Sequence, residues 1–324
     1  MIVRWGLAEL DGLLGEVGSE RPLLVTTPRR RGLVPPPGPV FEGVRPHVPA
    51  ESVDAAEAAA AGTDGLLALG GGSAIDTAKA VSARTRLPVV SIPTTYSGAE
   101  WTPTFGVRDE ARRVKGGGGG ATVAGILYEP ELTLTLPRGE TGGTALNALA
   151  HAAEALYVEG RNEEADREAL AGAALISTSL PRVLEDGADR EARRELLEGA
   201  AHAGAALAGA GLGLGHAVAQ ALGGRYGVPH GAANALVLPA ALRFNEPVAR
   251  AVLARLGEAM GTEDAAARAE ELARLAGFGR LRDLGVPAGD LDEVAEAVIV
   301  RPGARANPRR ATAADVAELL RAIW

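Results

Sequence analysis

Short apolar runs alternate with helical spacing along the first half of the chain. Leu23-Leu24-Val25-Thr26-Thr27 has the content of a buried strand, as do Gly65-Leu66-Leu67-Ala68-Leu69 and Pro88-Val89-Val90-Ser91-Ile92-Pro93. Gly125-Ile126-Leu127-Tyr128 is a later run of the same kind. Residues 53–61 and 73–83 between them are Ala-rich and spaced as helices. Strand, glycine turn, helix, strand is the order of a parallel α/β sheet. After Pro137 the strand signals stop, and the pattern predicts helices over about 140–158, 164–184, 189–210, 214–223, 231–242, 247–260, 263–276 and 312–323, broken by Gly and Pro. The expected architecture is an α/β nucleotide-binding domain over residues 1–137 and an all-α domain over residues 138–324, with a ligand cleft between the two.

Composition narrows the function. Hydrophobic residues make up 47% and charged residues 23% of the 324, which excludes disorder throughout. Aromatics are only 3%, too few for base-stacking platforms, and the net charge of −8 is the wrong sign for polyanions, so no nucleic-acid partner is expected. Without cysteine there are no disulfides, iron–sulfur clusters or thiol catalysis. No 18-residue apolar run and no signal-peptide core is present, which predicts a cytoplasmic protein with no membrane partner. Two stretches look irregular: residues 29–49, rich in Arg and Pro, and the five glycines 116–120. Each reads either as surface loop or as backbone approaching a ligand.

Three constellations carry chemistry. In Gly70-Gly71-Gly72-Ser73-Ala74-Ile75-Asp76-Thr77-Ala78-Lys79 a strand runs into glycines and then a helix. Glycine lets the backbone approach phosphate, and a helix start supplies unpaired N–H groups and a positive dipole end. A tight turn with Ser73 as N-cap is the alternative. Pro93-Thr94-Thr95-Tyr96-Ser97-Gly98-Ala99-Glu100 follows the next strand, where open α/β sheets bind ligands, and offers three hydroxyls to a phosphate or ribose; an ordinary hydroxyl-rich turn would look the same. The histidines form the third. On a helix, Asn147, His151 and Glu154 share one face, while Leu146, Leu149, Ala153 and Leu156 form another. His216 and His230 stand near the starts of later helices. Three neutral imidazoles and a water suit Zn²⁺ or Fe²⁺, and hydrogen-bonded structural histidines are equally consistent. His47 and His202 read as incidental.

Taken in order, these segments resemble the iron-containing alcohol dehydrogenase superfamily, also called dehydroquinate-synthase-like. Gly70-Gly71-Gly72-Ser73 with Asp76 and Lys79 is similar to its diphosphate loop, Pro93-Thr94-Thr95 with Gly98 and Glu100 to its second cofactor segment, and Pro229-His230-Gly231 with Asn234 and Pro239 to its C-terminal metal motif. Within it, the segments 94–103, 127–133 and 146–157, and Asn307-Pro308-Arg309 with Thr312, resemble the maleylacetate reductase branch. The resemblance implies reduction of a double bond or carbonyl next to carboxylates by NADH or NADPH, as when maleylacetate becomes 3-oxoadipate. A homodimer is the expected assembly, as the default for soluble oligomers.

The implied site is His151, His216, His230 and Arg113 for catalysis, and Gly70, Gly71, Gly72, Ser73, Asp76, Thr94, Thr95, Ser97 and Lys115 for the cofactor. Arg113 or Lys115 would neutralise a substrate carboxylate. Metal ligands would be His151, His216 and His230, with Asn147 where metal-dependent members carry Asp. An uncharged amide is a poorer ligand, so Fe²⁺ or Zn²⁺ is implied as either present or absent. Gln220 replaces a usual histidine and cannot relay protons. The chain after Thr27 is shorter than in the family. Thr26-Thr27 followed by Arg29-Arg30-Arg31, with no acid, favours the 2′-phosphate of NADPH over NADH; a solvated basic loop is the alternative. Two other functions stay open on this scaffold: a cyclase or lyase, and a non-catalytic binding or regulatory member.

Overall fold

A computed structural model describes residues 1–109, 111–112 and 114–324, with the side chain of Lys115 excepted. The chain divides into two compact units. One comprises Met1–Thr95 and Ala99–Thr135, the other Tyr96–Gly98 and Leu136–Trp324.

The first unit is built on a six-stranded sheet. Its strands are β1 (Ile2–Trp5), β2 (Leu23–Val25), β3 (Val40–Phe41), β4 (Leu66–Gly70), β5 (Pro88–Pro93) and β8 (Thr122–Tyr128). They lie in the order β1-β8-β5-β4-β2-β3, and every pairing is parallel. The central strands are buried on both faces, which is why they read as unbroken apolar runs. Leu23, Leu24, Leu66, Leu67 and Leu69 have almost no exposed surface, and burying each stabilises the fold by about 1.5–3 kcal/mol. Helices α1 (Leu10–Val17), α2 (Ala50–Ala59) and α3 (Gly72–Thr85) complete two cores, one holding Val53, Ile75 and Val81, the other Leu13, Val90 and Leu127.

The glycine run is a correction. Neither loop nor ligand approach describes Gly116–Gly118. They belong to β7 (Val114–Gly118), which pairs antiparallel with β6 (Phe105–Asp109). A ladder needs backbone groups rather than side chains, and the Phe105 ring covers Gly118, where a Cβ would stand 2.5 Å from it. The stretch 29–49 likewise contains structure: a 3₁₀ turn at Arg31–Leu33 and β3.

The second unit is helical. It contains α4 (Arg138–Ala155), α5 (Glu163–Glu185), α6 (Arg190–Ala210), α7 (Leu214–Tyr226), α8 (His230–Ala259), α9 (Ala265–Leu275), α10 (Leu291–Ile299), α11 (Pro302–Ala306) and α12 (Ala313–Ile323). The two helices expected over 231–242 and 247–260 follow one another within α8, joined across a kink at Ala249, two residues after Pro247. Helix α4 is buried almost all round from Ala145 to Ala155, so its polar residues Asn147, His151 and Glu154 must find partners inside the protein. Among the described residues no single helix is long and apolar enough to cross a membrane.

Candidate active site

Two groups of candidate residues emerge, one in each unit. In the first unit, β4 and β5 end side by side, Gly70 opposite Pro93. The Thr94 amide donates to the Gly70 carbonyl at 3.0 Å. Helix α3 begins at Gly72 with Gly71 as N-cap, and no side chain caps it. Ser73 therefore lies inside the first turn, and the tight turn capped by Ser73 is not what forms. Side chains are excluded from this bend by contact. A Cβ on Gly71 would stand 2.8 Å from Thr95 Cγ2, and one on Gly70 2.8 Å from the Ala74 Cβ. The hydroxyls of Thr94 and Thr95 are buried without an internal partner. An uncapped helix start, a glycine cradle and two orphaned hydroxyls fit a dinucleotide diphosphate.

Asp76, expected at the cofactor, has internal partners of its own. It pairs with Lys79 at 2.9 Å and accepts the Gly106 amide at 3.1 Å. Buried Lys79 also donates to the carbonyls of Ala99 and Thr104, so the two side chains fix the segment after Gly98. Glu100 accepts from the Tyr128 hydroxyl at 2.8 Å, which in turn accepts from the Trp101 indole at 2.7 Å. Burial pushes the Glu100 carboxyl above its ordinary range.

The second unit brings the three histidines together. The rings of His151 and His216 stack at 4.6 Å between centroids, and His230 lies 5.6 Å from His216. The proton pattern follows from their neighbours. Asn147 donates its amide to the Ser97 carbonyl at 3.0 Å, which fixes the side chain's orientation because a carbonyl can only accept. Its oxygen therefore faces Asn234, whose amide donates to it at 2.6 Å and contacts His230 Nε2 at 3.2 Å. The Asn147 amide also faces His151 Nε2 at 3.5 Å. Gly98 has φ +71, and a Cβ there would stand 3.2 Å from His151 Nδ1. Burial, with His216 beside it, holds the His151 imidazole well below its ordinary value, and hence neutral.

Glu154 organises His216. Its carboxylate accepts His216 Nδ1 at 2.7 Å, the Gly213 amide at 2.7 Å and the His216 amide at 3.2 Å. Both side chains are only 1% exposed. With Nδ1 held against Glu154, Nε2 is directed away from the carboxylate, and that atom has no internal partner. Glycines make room for the carboxylate: a Cβ on Gly215 would lie 2.8 Å from Glu154 Oε1, and one on Gly213 3.1 Å from its carboxyl carbon. The start of α7 is held from the other side by Asn307. Asn307 and Asn245 bond amide to amide in both directions, at 2.7 and 3.0 Å.

These donors do not converge on a cation. Stacked rings direct their lone pairs into nearly parallel planes. Asn147 Oδ1 is occupied by Asn234, and among the described residues no carboxylate joins the imidazoles away from Glu154. Among the described residues no three His, Asp or Glu form a metal-holding group. Of the two outcomes the sequence leaves open, a resident Fe²⁺ or Zn²⁺ is the one these residues do not fit.

The match to known proteins runs the length of the chain. Residues 4–123 fit the family model described as iron-containing alcohol dehydrogenase, and residues 141–324 that of the Fe-containing alcohol dehydrogenase family, C-terminal. The chain belongs to the iron-containing alcohol dehydrogenase family. Among relatives in this family, the maleylacetate reductase of Pseudomonas sp. (strain P51) is 34% identical, over 99% of this chain and 95% of its own. That of Burkholderia cepacia is 35% identical, over 95% of this chain and 91% of its own. The crystal structure of maleylacetate reductase from Rhizobium sp. strain MTP-10005 superposes with a TM-score of 0.90 at 33% identity, covering 100% of this chain and 95% of that one.

Not every expected residue is placed. Arg113 and the side chain of Lys115 lie outside the described residues. His202 pairs with Glu168 at 2.7 Å on the neighbouring helix, away from the cluster. A cavity of about 630 Å³ lined by Arg243, Phe244, Arg274 and Phe278 holds none of the candidate residues. The sequence did not disclose the roles of Glu154 and Asn234, whose partners lie 62 and 87 residues away; the one signal for Glu154 was its place on the Asn147–His151 face.

Proposed function

We propose that this protein is an NAD(P)H-dependent reductase of a small unsaturated oxo-acid of the maleylacetate type. The observation that carries the reading is the Glu154–His216 pair, which orients the ring and leaves its Nε2 without an internal partner. When bound, the reduced nicotinamide supplies a hydride from C4. The first turn of α3 and the hydroxyls of Thr94 and Thr95 hold its diphosphate. In the substrate, the alkene carbon remote from the ketone accepts the hydride, and the displaced electron pair moves to the ketone oxygen. The carbon next to the ketone then takes a proton. We assign its delivery to Nε2 of His216, which first takes a proton from solvent and returns to the neutral ring on delivery, with Glu154 as counter-charge while the ring holds both protons. His151, neutral and stacked on that ring, keeps it in place.

NADPH is the favoured cofactor. At the end of β2, Thr26 is occupied with the Leu69 carbonyl at 2.8 Å, and no acid stands there to repel a 2′-phosphate. The Arg30 side chain reaches the glycine bend, where its Cδ would lie 4.0 Å from a Cβ on Gly70.

The test is loss of nicotinamide absorbance with maleylacetate, together with fluorescence titrations of NADPH and NADH. Turnover with maleylacetate, tighter NADPH binding, and a roughly 10²–10⁴-fold lower kcat in His216→Asn with an unaltered NADPH Kd are expected. Cofactor binding without turnover of the oxo-acid would overturn the reading.

A further inference from the structure

Among the described residues Arg301 is a cation without a counter-ion. It is the N-cap of α11, its Nε is buried without a hydrogen-bond partner, and its one side-chain acceptor is Gln220 Oε1 at 3.4 Å. No ion pair reaches it among the described residues, whereas nearby Arg225, also half-exposed, pairs with Asp290 and Glu293. Burial alone pulls the guanidinium below its ordinary value, so it is desolvated without compensation. Uncompensated charge of this kind is expensive unless a ligand supplies the opposite sign.

Its position supplies the rest of the argument. Gln220 lies four residues after His216 on α7, hence on the same face and about 6 Å further along the axis. Helix α11 is pressed onto the start of α7: a Cβ on Gly303 would stand 2.4 Å from the Gly213 carbonyl and 3.5 Å from the Ala217 Cβ. Arg301 and Gln220 both retain solvent access. The guanidinium thus contacts the side chain that lies one helical turn beyond His216 on α7.

We propose that Arg301 anchors a carboxylate of the substrate, with the Gln220 amide beside it, so that a short oxo-dicarboxylate lies along α7 with its reacting carbons near His216. This rests on the reductase reading and deepens it by naming the residue that binds a substrate carboxylate. It also gives Gln220 a purpose. A histidine there would compete for protons, while an amide accepts from Arg301 and offers an N–H to the same carboxylate.

The experiment compares wild type, Arg301→Met and Arg301→Lys. Initial rates are measured against maleylacetate, and maleate, which has both carboxylates but no ketone, is titrated calorimetrically into the protein loaded with NADP⁺. Removing a desolvated, unpaired charge leaves Arg301→Met folded, with a melting temperature at or above that of wild type. It raises KM for maleylacetate and the Kd for maleate by about 10- to 100-fold, changes kcat several-fold at most and leaves the NADPH Kd unchanged; Arg301→Lys recovers part of the loss. An Arg301→Met variant that turns over maleylacetate with wild-type KM overturns the assignment, as does a wild type that does not bind maleate. Maleate binding that depends on Arg301, in a wild type that does not reduce maleylacetate, upholds the anchor and overturns the reductase reading instead.

Discussion

One carboxylate, Glu154, serves both a helix start and an imidazole ring. Exchanging it for an amide places an N–H group against donors that previously shared two oxygens. Glu154→Gln is therefore expected to lower kcat by about 10- to 100-fold with little effect on cofactor binding. Nitrogen NMR of the His216 ring would show loss of the Nδ1–carboxylate hydrogen bond. His151 leads to a pH prediction. In the unfolded chain its ring takes up a proton near 6.5, but in the folded protein only well below that. The unfolded state then binds more protons on the acid side, so stability is lost as pH falls through 6.5. Melting temperatures measured across that range should show the slope, and His151→Gln should flatten it. The helical face bearing Asn147, His151 and Glu154 was legible from spacing alone. The partners were not, because a 3.6-residue period says which side chains share a face and nothing about what a distant segment presents to it.

Elements whose side chains pack were the readable ones. Strands β4 and β5 and helices α3 to α6 announced themselves through buried Leu, Val and Ala. The hairpin of β6 and β7 did not, since its glycines contribute a ladder and almost no apolar surface. The glycine bend before α3 is legible in the sequence, and of its two readings the Ser73-capped turn is the one that does not form, because the helix begins at Gly72 with Gly71 as N-cap. Gly71→Ala should be felt at this element. The added methyl meets Thr95 and fills the space meant for a phosphate, so the NADPH Kd should rise at least about tenfold in a fluorescence titration, with melting temperature lowered by a few degrees at most. Gly215→Ala tests the other element in the same way: the methyl strikes Glu154, and the expected loss is in kcat rather than in cofactor affinity.

For the molecule as a whole, composition excluded nucleic acid and thiol chemistry, and pattern placed an α/β half before a helical half. Metal content was the property that composition and spacing left open, because it turns on the direction of lone pairs. The amide network predicts that prolonged chelation with EDTA leaves maleylacetate turnover within twofold of the untreated rate, and that the purified protein holds far less than one equivalent of iron or zinc by elemental analysis. Asn147→Asp breaks the donation to Ser97 and adds the missing charge, so it should raise zinc affinity measurably. Cofactor should also protect the fold: at about 100 times its Kd, NADPH adds roughly 2.7 kcal/mol to unfolding, visible as a raised melting temperature.

The reciprocal amide clasp of Asn245 with Asn307 has a practical corollary. Leu214, at the head of the helix that carries His216, also donates its backbone amide to Asn307. The tail beyond Ala306 is thereby wired to the chemistry rather than appended to it. Trimming the protein at that point, whether by a protease or by an expression design, should silence turnover before it impairs nucleotide capture.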